Sequence, residues 1–320
     1  MYLLDFTQIL KKRVDLQNHQ VIISHGTGNQ LFQYTFAHYL ALQNNCSVKI
    51  ENSPIVSRLG GGKSEDFRLT RLLSRCSHSK FKRNKVISNY SFFGRALFRL
   101  GLSDKIESIL TKKSLYVINL ETRVTSFKFF PDAGKDSKAT SFRGFWQNWR
   151  YLYPNSSIIF GEINQYLNSE VPDIQLKRTS SKVIVVHVRR GDFLIKGRDS
   201  ELGLISLDSY IKVIDEIIIN NPGIDIITFT DSKDCLSSEV GVNKLGEILG
   251  PDINNFWSIL KIMSNADYLI AGNSTLSWWG AFLCYSKGGE VFIPKQFYKN
   301  LETEGAFEYP GFGTYKNYFI

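Results

Sequence analysis

The sequence predicts an α/β protein built on parallel sheets, and three observations carry the prediction. Short apolar runs alternate with helical patterns, β-α-β beginnings lie near Val21 and Val183, and the chemistry-bearing residues fall where strands end. Taken in order, VIIS reads as a strand, HGTGNQ as a glycine turn, LFQYTFAHYLALQ as a helix and SVKI as a second strand. From Pro54 to Ser141 the pattern weakens: RLGGGKSED reads as flexible, FFGRALFRLG as a basic helix and SLYVINL as extended. FRGFWQNWRYLYP, ending at Pro154, concentrates aromatics and suits a segment packed between domains or lining a cleft. After Ser181 the alternation is regular. VIVVHV, DIITFTD, YLIA and EVFIP read as strands; LDSYIKVIDEIII with Ser206 as cap, NNFWSILKIMSNA and LSWWGAFLCYS read as helices. Helices on both faces of a parallel sheet place ligands outside the carboxyl ends of the strands. Two units are expected, 1–150 and 151–320.

The 320 residues are 43% hydrophobic and 22% charged, enough for a sizeable core. There is no apolar run of membrane-spanning length and no signal-peptide pattern, and the four cysteines lack CxxC spacing, so a reducing, cytoplasmic setting is expected. The net charge of +9 is concentrated: Pro54 to Lys113 holds 14 Lys/Arg against 4 Asp/Glu, leaving −1 for the rest. Such a segment is most simply a solvated face, and otherwise suits nucleic acid, an anionic membrane or a phosphate-bearing ligand.

The chemistry gathers in VIVVHVRRGDF, Val183–Phe193. Alternation sends His187 and Arg189 one way and Val188 and Arg190 the other, so one arginine can face a ligand while the other braces the loop. Asp192 is the expected counter-charge of Arg190, with Gly191 allowing a tight turn between them. An arginine fork at a strand end suits a phosphate. GNST, Gly272–Thr275, adds a helix N-terminus, the Asn273 amide and the hydroxyls of Ser274 and Thr275. In the first turn, G-x-G-x-x-G would need a third glycine where Leu31 stands, which counts against a NAD-dependent oxidoreductase. Gly28, Asn29 and Gln30 then suit a hydroxyl-rich ligand, with Asn29 equally readable as a helix cap. Asp231–Asp234 does not present paired carboxylates for magnesium, and no histidine pair has ligand spacing, so no metal is expected.

GNQLFQYTFAHYLA, HVRRGDF, FTDS, MSNADYLIAGNSTLSWWGAFL and VFIPKQF, in that order, resemble the motif series of the bacterial α-1,2-fucosyltransferases, glycosyltransferase family 11. The resemblance implies a GT-B fold, two Rossmann-like domains with parallel sheets facing a central cleft. It implies inverting, metal-independent transfer of fucose from GDP-fucose to the 2-hydroxyl of a galactose-type acceptor, in surface polysaccharide (O-antigen) synthesis. Arg189 would contact the donor diphosphate, and His187, Arg190, Asp231, Asn273, Ser274 and Thr275 would line the donor side. Asn29, with Gly28, Gln30 and Trp146, would meet the sugar from the other domain. Asp192 is the first choice for the catalytic base and Glu201 the second. The family usually has glycine where His25 stands, aspartate at Ser232 and a carboxylate near Ile259; Ser258 or Asp252 would have to replace the last in holding guanine. An acceptor on a lipid diphosphate would bring the basic segment and LLDFTQILKKRV to the inner membrane face. Readings from other classes are the oxidoreductase and a basic nucleic-acid-binding module.

Overall fold

The structure, a computed structural model, describes residues 19–23, 25–46, 48–52, 69, 72, 115–117, 127–135, 141–194, 199–250 and 256–320. The N-terminal amphipathic stretch, nearly all of the basic segment and Asp252 lie outside these residues.

Two sheets form, both entirely parallel. The first contains β1 (His19–Ile23), β2 (Val48–Asn52), β3 (Leu115–Val117) and β4 (Ser141–Arg143) in the order β2-β1-β4-β3. Every residue of β1 is buried, as its apolar run requires of a central parallel strand. Helix α1 (Thr27–Asn44) follows at once. It begins at Gly26, which gives no side-chain cap, and Asn29 sits inside its first turn, so the capping alternative for Asn29 is set aside.

The second sheet has six strands: β5 (Val183–Val188), β6 (Asp225–Thr230), β7 (Glu247–Leu249), β8 (Tyr268–Ile270), β9 (Glu290–Pro294) and β10 (Gly313–Tyr315). Their order is β10-β9-β8-β5-β6-β7. From β5 the chain winds outward through β6 and β7, then returns to place β8 on the other side of β5. The carboxyl ends of β5 and β8 are therefore the topological switch point, where a doubly wound sheet opens a crevice. Helix α2 (Ser156–Glu170) precedes this sheet. Helix α3 (Leu207–Asn220) covers one face, packing Tyr210, Ile211 and Ile214 on Ile184, Val186 and Val188. On the other face α4 (Phe256–Ser264) and α5 (Thr275–Ser286) pack Met263 and Ala281 on Val185 and Leu269. The α/β class and the two parallel, helix-covered sheets of the expected GT-B architecture are both present.

Helix α5 has no solvent face over most of its length: Ser277 to Cys284 are all buried. Such a helix must be apolar on every side, and here the second layer comes from the N-terminal half. Phe32 of α1 lies 4.7 Å from Trp278 and 5.3 Å from Trp279, ring centre to ring centre, and Phe307 closes the cluster 6.2 Å from Phe32. The Trp279 indole donates to the Gly28 carbonyl at 3.1 Å, and the Trp278 indole to that of Phe307 at 2.8 Å. At the helix starts the backbones nearly touch. A methyl group on Gly28 would lie 2.5 Å from the Leu276 nitrogen and the Thr275 carbonyl carbon.

Gly28→Ala is therefore expected to lower the free energy of unfolding by about 1–3 kcal/mol, since two of the atoms in the way are backbone and cannot swing aside as a side chain could. A denaturant midpoint equal to that of the wild type would contradict the contact between the two helix starts.

Candidate active site

Strand β5 delivers His187, Arg189 and Arg190 to the switch point, in register with the end of β6, where His187 pairs with Phe229 and Val188 with Thr230. Asp231 comes immediately after β6 and organises the loop. It accepts from Arg189 Nε at 3.1 Å and from the Arg190 backbone amide at 2.7 Å. A methyl on Gly191 would sit 2.5 Å from its Oδ2. Gly191 is thus required by the approach of a carboxylate. Burial alone would push the Asp231 carboxyl up, but the Arg189 guanidinium and the Arg190 and Gly191 amides outweigh it and hold the group below its ordinary value.

The two arginines are divided as alternation predicts. Arg190 is 1% exposed, lies close to Tyr210 of α3, and pairs with Glu239, a partner the sequence did not point to. Nε and Nη2 of Arg190 reach the two Glu239 oxygens at 2.5 and 2.9 Å, a fork-to-fork pair. Burial works against the charge, and the bonds to Glu239 raise the Arg190 pKa in spite of it. A guanidinium this deep needs a partner meeting both nitrogens, and the two residues are far apart in sequence, so no local spacing signals the pair. Arg189 stays at the rim with 27% of its side chain exposed.

His187 is buried beside them. Desolvation, helped by the Arg189 charge and opposed by Asp231, lowers its pKa to about 4, so the imidazole is neutral near pH 7. Its Nδ1 is buried without a hydrogen-bond partner among the described residues. Gly272, after β8, passes so close that a methyl there would lie 2.5 Å from the His187 carbonyl oxygen. The start of α5 is thereby held against the end of β5. Ser274 occupies the cap position of α5 without making a capping bond, and it and Thr275 are partly exposed. Asn273 is different from its neighbours: it is buried, and its amide donates to the carbonyls of Leu202 at 3.1 Å and Gly203 at 2.9 Å. It fastens the preceding loop rather than facing a ligand, which corrects the donor-side expectation for it.

On the other half, Asn29 is partly exposed and accepts from Gln147 Nε2 at 2.7 Å, which directs its own amide nitrogen away from Gln147. Gln147 was not read as a site residue in the sequence, and nothing in its spacing marks it. Gln30 is buried and donates to the His25 carbonyl at 2.7 Å, bracing the turn. Gly28 is covered by α5, so no pyrophosphate can approach it as a dinucleotide fold would require. His25 holds φ at 66°, the left-handed conformation that explains why a glycine would be at home there. Trp146 is corrected more strongly: it is 2% exposed and stacks on Phe36 at 3.6 Å, an element of the core with no face for a sugar. Glu201 is exposed on a short helix, Asp199–Leu202, and the Asp192 side chain lies outside what is described. Ser258 is buried within α4, and Ile259 packs against the core beneath the second sheet. Among the described residues no group of three His, Cys, Asp or Glu side chains could hold a metal ion.

The pattern that defines glycosyl transferase family 11 matches residues 19–310. The chain belongs to glycosyl transferase family 11. Among curated proteins it is 27% identical over 284 residues to an alpha-1,2-colitosyltransferase of Escherichia coli, covering 87% of this chain and 91% of that one. It is 24% identical over 289 residues to the O-antigen biosynthesis glycosyltransferase WbnK of Escherichia coli, covering 86% and 93%. Among solved structures, the fucosyltransferase NodZ from Bradyrhizobium overlaps 82% of this chain and 92% of its own, at 14% identity and a TM-score of 0.43. The ADP-heptose LPS heptosyltransferase II of E. coli overlaps 93% and 92%, at 11% identity and a TM-score of 0.44. Both overlaps are too loose to add to the architecture already described. No helix among the described residues of this glycosyltransferase is long and apolar enough to cross a membrane.

The neutral, buried state of His187 has a measurable cost in acid. Its folded pKa lies below its unfolded value of 6.5, so the stabilisation is complete above pH 6.5 and lost as pH falls toward 4. The loss should be on the order of 3 kcal/mol. Denaturant midpoints between pH 7 and pH 4.5 should show it, with a shallower slope in His187→Asn; Asp231 contributes only at lower pH.

Proposed function

We propose that this family 11 enzyme transfers L-fucose from GDP-β-L-fucose to the 2-hydroxyl of a galactose-type acceptor by metal-independent inversion. The observation that carries the reading is the anion seat at the switch point. There the exposed part of Arg189 and the uncapped start of α5 follow adjacent strands, with His187 Nδ1 buried and without a partner among the described residues, in a member of this family. A nucleoside diphosphate is the matching ligand, because a guanidinium and free helix N–H groups both favour phosphate oxygens.

In the proposed reaction the acceptor oxygen attacks C1 of the sugar, the bond from C1 to the phosphate oxygen breaks, and the hydroxyl proton passes to a base. Charge grows on the leaving diphosphate, where Arg189 and the α5 dipole stabilise it without a cation. Asn29, held by Gln147, presents its amide to the sugar from α1. Asp192, next to the arginine pair in sequence, is the proposed base, and Glu239 is available as counter-ion to Arg190. Glu201 is the second choice. The α-1,2 linkage is supported by the name of the colitosyltransferase relative, which also favours a second reading in which the donor carries colitose. The O-antigen setting is supported by the second relative, and an acceptor on a lipid diphosphate at the inner membrane face follows from it as part of the same proposal.

Incubation with GDP-fucose or GDP-colitose and a panel of galactosides, read by mass spectrometry, tests the assignment. Product from the fucose donor is expected, product from the colitose donor alone would replace it with the second reading, and neither product nor GDP binding would overturn both. EDTA should leave the rate unchanged. Arg189→Ala should lower kcat/KM by about 10²- to 10³-fold, the usual cost of removing a group aimed at developing negative charge.

A further inference from the structure

The second arginine of the motif is buried beneath the loop, and its bonds lead directly to the first. Arg190 Nη1 donates to the Arg189 carbonyl at 3.0 Å, and its backbone amide donates to Asp231 at 2.7 Å. Asp231 in turn takes Arg189 Nε at 3.1 Å. The peptide carrying Arg189 is therefore gripped from both sides, by a guanidinium beneath it and a carboxylate beside it. What aims that guanidinium is Glu239, which takes Nε and Nη2 and leaves Nη1 pointing at the carbonyl. Glu239 is itself held. It follows the short helix Lys233–Ser237, its amide donates to the Leu236 carbonyl at 3.0 Å, and its carbonyl accepts from Val242 at 3.4 Å.

We infer that Glu239 is a positioning residue for transfer: through Arg190 it fixes the peptide that orients Arg189 toward the donor diphosphate. The inference rests on the diphosphate role given to Arg189 above. It separates the two carboxylates near the motif by task. Asp231 sets the direction of the Arg189 side chain, and Glu239 sets the backbone from which that side chain springs.

Glu239→Gln keeps the shape and one acceptor oxygen but removes the charge. It should speed hydrogen exchange at the Arg190 amide by at least about tenfold, because the loop opens more often. It should lower kcat by about 10²-fold, the size of effect a small misplacement of a reacting contact produces. KM for the acceptor, contacted from the other half, should not move. Loss of the partner leaves a buried charge unpaired, so a destabilised single variant is controlled with Glu239→Ala combined with Arg190→Met, which removes both charges. The double variant should regain the thermal midpoint while kcat stays low. Wild-type exchange and kinetics in Glu239→Gln, or recovery of kcat together with stability in the double variant, would overturn the inference and reduce Glu239 to a neutralising ion. A wild-type protein without transferase activity would overturn the proposed function instead, and the exchange measurement, which needs no substrate, would then decide the positioning by itself.

Discussion

The contact between the starts of α1 and α5 is the constraint on which the site depends. At Gly28 there is no room for a single carbon, because the Thr275–Leu276 backbone already fills the space. The two helices lie this close because α5 is buried on all sides and α1 covers one of them. Trp279 adds direction, tying its indole to the carbonyl of the very glycine that permits the approach. Two positive helix ends are thereby held side by side near the carboxyl end of β5. That arrangement is electrostatically costly unless negative charge lies near.

Charge at the switch point is arranged by depth. The deeper guanidinium, Arg190, is matched to both oxygens of Glu239, as a desolvated ion must be. The shallower one, Arg189, gives Nε to Asp231 and keeps part of its surface in solvent. A neutral His187 beneath them adds no further positive charge to the loop. The result is a rim whose net charge is small at rest and whose polar groups are already oriented, so the arrival of negative charge requires little reorganisation.

Much of this was legible beforehand. The buried strands of the second sheet, the helix after GNST and the opposite facing of the two arginines all follow from periodicity, because each depends on residues close in the chain. What was not legible has several causes. Arg190 finds its partner at Glu239 and Asn29 at Gln147, across sequence distances where no spacing rule operates. Trp146 read as a cleft aromatic because its neighbours are aromatic; its stacking on Phe36 places it in the core instead. Strands β4, β7 and β10 are three residues each, too short for alternation to register. Helix α2 did carry a signal, Ile159, Ile163, Tyr166 and Leu167 all on its buried side, but Gly161 and several weak helix formers obscured it.

One aromatic core runs through both sheets' layers, from Phe36 and Trp146 beneath β1 to Trp278, Phe282 and Phe307 around α5. Two halves built on a shared core cannot be exchanged as independent modules. A chimera that kept this α5 but took its first half from another member of the family would place two neighbouring indoles against an unfamiliar surface, and would need the partners of Phe32 carried across with it. New properties are therefore more readily introduced in the loops that reach the rim than by replacing the half that bears them.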